Sequence, residues 1–386
     1  MNGYTESAER QALRAAVRGM ASRYGREYIT AKARAGEKTT ELWSEAGKLG
    51  YLGVAVPEEY GGGGGGIGDL AAVCEELSVA GCPLLLIVVS PAICGTVIAR
   101  FGTEEQKQRW LPGFADGSVR MAFAITEPEA GSNSHKLATT IRRDGDEWIL
   151  SGGKHFISAV DEVDAVLVVA RHVDEQGRKL LPSLMILPTD APGFTYHQID
   201  MDIVAPEKQF TLFFDDVRLP ADHLVGSVDA GLAQVFAGLN PERILAASYA
   251  TGIARHVLGR AADYVRTREV WGTPIGAHQG LAHPLAHCAI QVELARVMTQ
   301  KAAALYDAGR DDEAGEAANM AKYAAAEAAI AAVDQAIQSH GGNGLASEYG
   351  LATLLAATRI TRVAPVSREM ILNYVAQHTL GLPRSY

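Results

Sequence analysis

Residues 124–133 read Ala124-Ile125-Thr126-Glu127-Pro128-Glu129-Ala130-Gly131-Ser132-Asn133, and residues 154–158 read Lys154-His155-Phe156-Ile157-Ser158. The first stretch puts hydroxyls and backbone donors on a loop after a short strand, a surface suited to a phosphate or the edge of a heterocycle. The second offers an aromatic face and a hydroxyl two residues apart, hence on one side of a strand. Each alone is an ordinary sheet rim, and their weight comes from what flanks them.

Around these stretches the texture is β-rich. Thr139 to Arg143 and Glu147 to Leu150, joined by Asp144-Gly145-Asp146, read as a hairpin, with further strands at 165–171, 183–187 and 209–214. Upstream, from Glu6 to about Ala115, the residues favour helix, with amphipathic pieces at 41–50 and 69–79. Downstream, long helical segments are expected at about 240–267, 285–308, 313–339 and 367–379. The third is about half alanine, and Met320, Tyr323, Ile330 and Val333 are expected to form its apolar face. Helices, then strands, then helices predict an α+β chain rather than alternating βαβ units.

The chain has 386 residues, 48% of them hydrophobic and 21% charged, which fits two or three compact domains and excludes disorder. With 35 Lys+Arg against 45 Asp+Glu the net charge is −10, so no basic footprint for nucleic acid or an anionic membrane exists. The run from Pro83 to Ile93 is too short to span a bilayer and reads as core. The N-terminal residues lack an apolar export segment, and Cys74, Cys82, Cys94 and Cys288 form neither a disulfide framework nor a zinc knuckle. A cytoplasmic location is the natural expectation.

Three other patterns carry little. Gly61 to Gly66 contains G-x-G-x-x-G, but it follows the turn residues Pro57 to Tyr60 rather than a buried strand, so a flexible turn between helices is expected there. His283 and His287 are four apart without a third ligand, and no metal is expected. No G-x-S-x-G elbow occurs, and Ser132 has no evident base partner.

In the order and content of its motifs the chain resembles the acyl-CoA dehydrogenase family over nearly its whole length. Val56 to Gly62 is similar to the family's first inter-helix turn, Thr126 to Ser132 to its first signature, and Lys154 to Ser158 to the segment lying on the flavin. The resemblance implies that Thr126, Ser132, Phe156 and Ser158 hold FAD, with Ser132 also touching substrate. Arg268-Glu269-Val270-Trp271-Gly272, followed by Gln279, is similar to the segment that reaches the FAD of a neighbouring subunit, and Gln338 to Gly344 to its second shared piece. By that resemblance Arg268, Trp271, Gln279, Gln338, Gly341 and Gly342 bind cofactor, as does Ser367. A guanidinium fork suits a pyrophosphate, and glycines admit close backbone approach.

Many members carry their catalytic carboxylate in a C-terminal loop whose counterpart here is Ala364-Pro365-Val366-Ser367, which has none. Isovaleryl and long-chain types carry it on the helix that opens the final bundle, where this chain has Leu239-Asn240-Pro241-Glu242-Arg243. Glu242 is the matching acid, and Asn240 and Arg243 are expected to contact the CoA portion. The plainer reading is a solvated first-turn carboxylate favoured by the helix dipole. Phe156, Ser158, Asn133 and Trp271 stand for the family's commoner Trp, Thr, Asp and Phe. Pro365 cannot donate the backbone N–H with which the family polarises the thioester carbonyl.

The resemblance thus implies a helical N-terminal domain (1–117), a central β-barrel domain (118–226) and a C-terminal four-helix bundle (227–386). It implies an FAD-dependent acyl-CoA dehydrogenase giving a 2,3-enoyl-CoA, passing electrons to an electron-transfer flavoprotein and assembled as a homotetramer or at least a dimer. The alternatives are an acyl-CoA oxidase, a non-redox eliminase on the same fold, and a non-catalytic acyl-CoA-binding protein.

Overall fold

A computed structural model of the chain describes residues 6–229 and 232–384. The first five residues, on which the reading of the N-terminus partly rests, lie outside the described residues, as do 230–231 and 385–386.

The N-terminal third is helical: α1 (Ala8–Ala21), α2 (Gly25–Ala35), α3 (Thr40–Lys48), α4 (Ile67–Val79), α5 (Leu85–Val89), α6 (Thr96–Phe101) and α7 (Glu104–Asp116). Between α5 and α6 the chain widens into a π-type turn over Ser90–Gly95. The apolar run from Pro83 is core, with Ile87, Ala92, Ile93 and Cys94 fully enclosed. Among the described residues no helix is long and apolar enough to cross a membrane.

The glycine run is a turn, as expected, but a packed one. The amides of Gly63, Gly64 and Gly65 donate to the carbonyls of Gly53, Val56 and Val54 at 2.8–2.9 Å. A Cβ on Gly62 would meet the Val56 carbonyl at 2.1 Å. Donors spent on the chain itself are not free for a phosphate. At its end, Asp307 of the C-terminal bundle accepts from the amides of Ile67 and Gly68 at 2.7 and 3.0 Å, capping α4 from another domain.

The middle third forms one eight-stranded sheet from β1 (Met121–Ala124), β2 (Thr140–Asp144), β3 (Glu147–Ser158), β4 (Ala165–Val173), β5 (Lys179–Pro188), β6 (Phe194–Ile199), β7 (Gln209–Pro220) and β8 (Leu224–Val225). The ladder runs β6-β7-β3-β2-β4-β5-β8, with β1 added in parallel to β4. The expected β2–β3 hairpin is present, with Asp144 opposite Glu147. Strand β4 is unbroken apolar sequence from Ala165 to Ala170 because both faces are covered there. Val166, Val168 and Ala170 enter the main core. Ala165, Leu167 and Val169 enter a second core with Ile93, Cys94, Val97 and Phe114.

The last third contains α8 (Leu232–Thr267), a short ribbon of β9 (Glu269–Val270) and β10 (Thr273–Pro274), then α9 (Gln279–Asp307), α10 (Asp311–His340), α11 (Leu354–Val363) and α12 (Arg368–Tyr374). Two expectations change. The segment expected at 367–379 is a short helix ending in a π-type turn at 375–379, and α11 precedes it. The buried face of α10 is not made by Met320, Tyr323 and Ile330, which are partly exposed. It is made by Ala314, Ala317, Ala318, Ala321, Ala325, Ala328, Ala329, Ala332 and Ala336, with Val333. Methyl groups at helical spacing let α10 seat closely between α8 and α9.

The N-terminal helices are bolted to this bundle by a buried charge cluster. Glu75 on α4 accepts from Arg255 of α8 at 3.0 Å and Arg296 of α9 at 2.6 Å. Glu76 beside it pairs with Arg14 and Arg18 of α1 and with Arg255. Burial opposes both charges, yet these guanidiniums hold both carboxyls below their ordinary range.

Candidate active site

The sheet supplies one wall of the site. Register across β3 and β7 passes from Lys154↔Leu212 to Ile157↔Phe210, so one extra residue is inserted on β3. Phe156 sits in this bulge at φ 56°. The expectation that Phe156 and Ser158 share a side through strand alternation is therefore corrected, because the pleat is broken between them. Ile157 turns into the core, 2% exposed, while Phe156 stands 51% exposed. Ser158 donates to Gln209 Oε1 at 3.0 Å, and the amide of His155 donates to the carbonyl of Thr126 at 2.9 Å.

That last bond docks the 125–133 loop onto the bulge, and a buried ion pair fixes it there. Lys154 Nζ, fully enclosed, donates to Glu127 Oε1 at 2.8 Å and the Ile125 carbonyl at 3.0 Å. The Glu127 carboxylate also accepts from the amides of Ala138 and Thr139. Burial pushes Lys154 down to about 8, with Glu127 opposing the change. Neither residue was singled out for this role in the sequence, although both lie inside the two quoted stretches. Ser132 and Asn133 are exposed at the loop tip, where Asn133 Oδ1 accepts from the amide of His135.

The bundle supplies the second wall. Glu242 is not at a helix start. It stands ten residues beyond Leu232, in the third turn of α8, so the first-turn dipole reading fails on position. Only part of its surface is open, and the protein crowded round its carboxyl raises its pKa from 4.5 to about 7. Arg243 and Lys322 act against that rise. The Glu242 charge in turn helps burial push the Cys94 thiol up, which puts the carboxyl near the 90–95 turn.

Arg243 is 8% exposed and donates to Asn240 Oδ1 at 2.9 Å. Its Nε is buried without a partner. A guanidinium with spare donors beside the acid fits a polar or anionic ligand group. Across from it, Lys322 on α10 is 1% exposed and donates to the carbonyl of Val366, in the 364–367 loop. Ser367 in that loop caps α12, its hydroxyl oxygen accepting from the amide of Met370 at 3.3 Å.

The remaining expected residues form a separate group. Arg268, Trp271, Gln279, Gln338, Gly341 and Gly342 are all exposed, Trp271 at 91%. Trp271 and Gly272 both take positive φ in the β9–β10 turn. Tyr264 and His340 stack at 4.1 Å, and Asn343 donates to the Tyr264 hydroxyl, joining the ends of α8 and α10. Glu242 and Arg268 are 26 positions apart on one continuous helical path, a separation of about 40 Å. One copy of the chain does not bring the two groups together.

His283 and His287 are both exposed on α9, and among the described residues no cluster of three or more His, Cys, Asp or Glu could hold a metal. The four cysteines are free and buried.

A helical domain, a sheet with an exposed aromatic bulge and a helical bundle carrying a desolvated acid define a class of α+β enzyme. The chain matches the acyl-CoA dehydrogenase N-terminal domain over residues 7–118, the middle domain over 122–217 and the C-terminal domain over 229–380. It is 65% identical over 383 residues to "Acyl-CoA dehydrogenase FadE12" of Mycobacterium tuberculosis, covering 99% of each chain. Among solved structures it resembles butyryl-CoA dehydrogenase of Megasphaera elsdenii, at 27% identity and a TM-score of 0.91, covering 98% of this chain and 99% of that one. It also resembles a glutaryl-CoA dehydrogenase of Mycobacterium smegmatis in complex with FADH2, at 26% identity and a TM-score of 0.88, covering 99% of this chain and 96% of that one. The chain belongs to the acyl-CoA dehydrogenase family of FAD-dependent oxidoreductases.

Proposed function

We propose that the chain dehydrogenates an acyl-CoA thioester between its α- and β-carbons to a 2,3-enoyl-CoA, with Glu242 as the general base. The observation that carries this reading is a desolvated, partly exposed carboxyl with its pKa pushed up to about 7 and the charges of Arg243 and Lys322 near it. An acid so placed is deprotonated in a large fraction at neutral pH and still basic enough to accept a weakly acidic α-proton. Asn240 and Arg243 hold the CoA portion, using the spare guanidinium donors.

The donor set on the sheet fits FAD: an exposed aromatic face on a bulge, the Ser158 hydroxyl beside it, and the Thr126 to Ser132 loop tied alongside. FAD, when bound, supplies the acceptor for the hydride that leaves the β-carbon. Phe156 covers its ring system, while Thr126, Ser132, Ser158 and Ser367 approach it. Arg268, Trp271, Gln279, Gln338, Gly341 and Gly342 complete the site of a neighbouring copy, because their exposure and their distance from Glu242 leave them no role in their own. A homotetramer, or at least a dimer, follows from that reading.

An electron-transfer flavoprotein is the proposed acceptor. The cytoplasm is the proposed location, supported by four unpaired buried thiols. The limits 1–117, 118–226 and 227–386 are proposed for the three domains.

The test is a panel of acyl-CoA esters of varied length and branching, assayed with an artificial electron acceptor and with oxygen consumption followed in parallel. The reading expects acceptor reduction with at least one ester and no matching oxygen uptake. Oxygen uptake matching turnover would convert it to an oxidase, and inertness to every ester would remove it.

A further inference from the structure

Lys322 stands in the middle of the alanine face of α10, where a methyl group would fill the helix contact, and it is enclosed to 1% exposure. An ammonium taken out of water is costly unless its charge and donors are used. Its donor goes to the carbonyl of Val366, the residue after Pro365. Its charge faces Glu242 and Arg243 on α8, Glu327 on its own helix and Glu369 on α12. Glu327 is already taken by Arg362 at 2.6 Å, with Arg368 near it at 3.7 Å. Glu369 is exposed in the first turn of α12. Glu242 makes no ion pair within 4 Å among the described residues, and of the three carboxyls it exerts the largest charge influence on Lys322. The other charged or titratable groups near Glu242 are Arg243 on its own helix and Cys94 from the 90–95 turn.

The geometry points to Lys322 as a positioning residue that ties the 364–367 loop to α10 and brings a positive charge near Glu242. It rests on the reading of Glu242 as the base. The two jobs belong together because the loop lacks a carboxylate and has a proline where a backbone donor is expected. A loop that cannot orient the reacting group through its own amide at 365 is instead anchored through a carbonyl. The same ammonium favours the ionised form of Glu242.

The experiment compares the wild-type holoenzyme with Lys322→Met, Lys322→Gln and Lys322→Arg. Two readouts are taken: deuterium exchange of the peptide covering residues 360–372, and the pH midpoint of anaerobic flavin reduction by the best ester. Removing a cation from beside a carboxyl raises its pKa, so with Lys322→Met or Lys322→Gln the midpoint moves to higher pH. Each unit of movement lowers the rate about tenfold on the acid side of the profile. Exchange of the loop amides rises several-fold in the same variants while flavin content is kept. Lys322→Arg restores the midpoint.

Lys322→Gln decides the matter if Lys322→Met does not fold. An unchanged midpoint, or unchanged loop exchange, in a folded neutral variant overturns the proposal. If the wild type is not reduced by any ester, it is the reading of Glu242 that fails, whereas failure of the Lys322 proposal leaves wild-type reduction intact.

Discussion

At the scale of the residue, Glu242 carries a cost that its position makes visible. Its carboxyl titrates near 7 instead of 4.5 because burial outweighs the help of Arg243 and Lys322. A carboxyl whose pKa is raised on folding keeps its proton in the folded state between those two values. Stability therefore falls as pH rises through that window, and the full cost is present above about 7. Glu242→Gln removes the ionisation, and a melting experiment at pH 8 should find the variant more stable by up to about 3 kcal/mol, with the gain vanishing toward pH 4. A surface carboxylate would show no such crossover. The motif around this residue is what singles it out as the candidate base in the sequence. Its surroundings are not legible there, because Pro241 reads as a first-turn proline, whereas α8 starts at Leu232 and runs through it. Proline inside a helix costs about 3 kcal/mol in isolation, and the packing of α8 against α4, α9 and α10 overrides that preference.

At the scale of the element, the sequence signalled each strand it named, and the hairpin at Asp144-Gly145-Asp146 came from turn chemistry alone. What it could not signal is the bulge at Phe156, since the extra residue becomes visible only when β7 is laid against β3. The Ala-rich helix misleads for a related reason: large apolar residues mark a core face only when space exists for them, and here the neighbours approach too closely. The Glu127–Lys154 pair is the element-scale device that holds the loop to the sheet. Lys154→Met leaves a buried carboxylate unpaired and is expected to cost about 3 to 5 kcal/mol. The double variant Glu127→Gln with Lys154→Met should recover part of the loss, as read from thermal unfolding. If the single and double variants melt together, the pair does not couple.

For the whole molecule, the three-part order of helices, sheet and helices follows from composition and periodicity along the chain, and the structure adds how the parts are joined. The Glu75–Glu76 cluster and the Asp307 cap tie α4 to the bundle through contacts more than a hundred residues apart, which no local pattern reveals. The exposed group at the far end of α8 has a consequence for assembly. If the proposed shared site holds, Arg268→Ala should lower flavin content in every site while leaving Glu242 and its surroundings intact, because the lost fork would be the one serving the neighbour's pyrophosphate. Sedimentation of the wild type should show a dimer or tetramer, and a monomer with full flavin would contradict the shared site.

The central claim is that Glu242 removes the α-proton, and anaerobic rapid mixing of enzyme with its best acyl-CoA ester tests it most directly. Glutamine is nearly isosteric and cannot accept the proton. Glu242→Gln should keep its fold and flavin while the rate of flavin bleaching drops by about 100-fold to 10,000-fold. Bleaching at near the wild-type rate in the folded, flavin-loaded variant would contradict the claim.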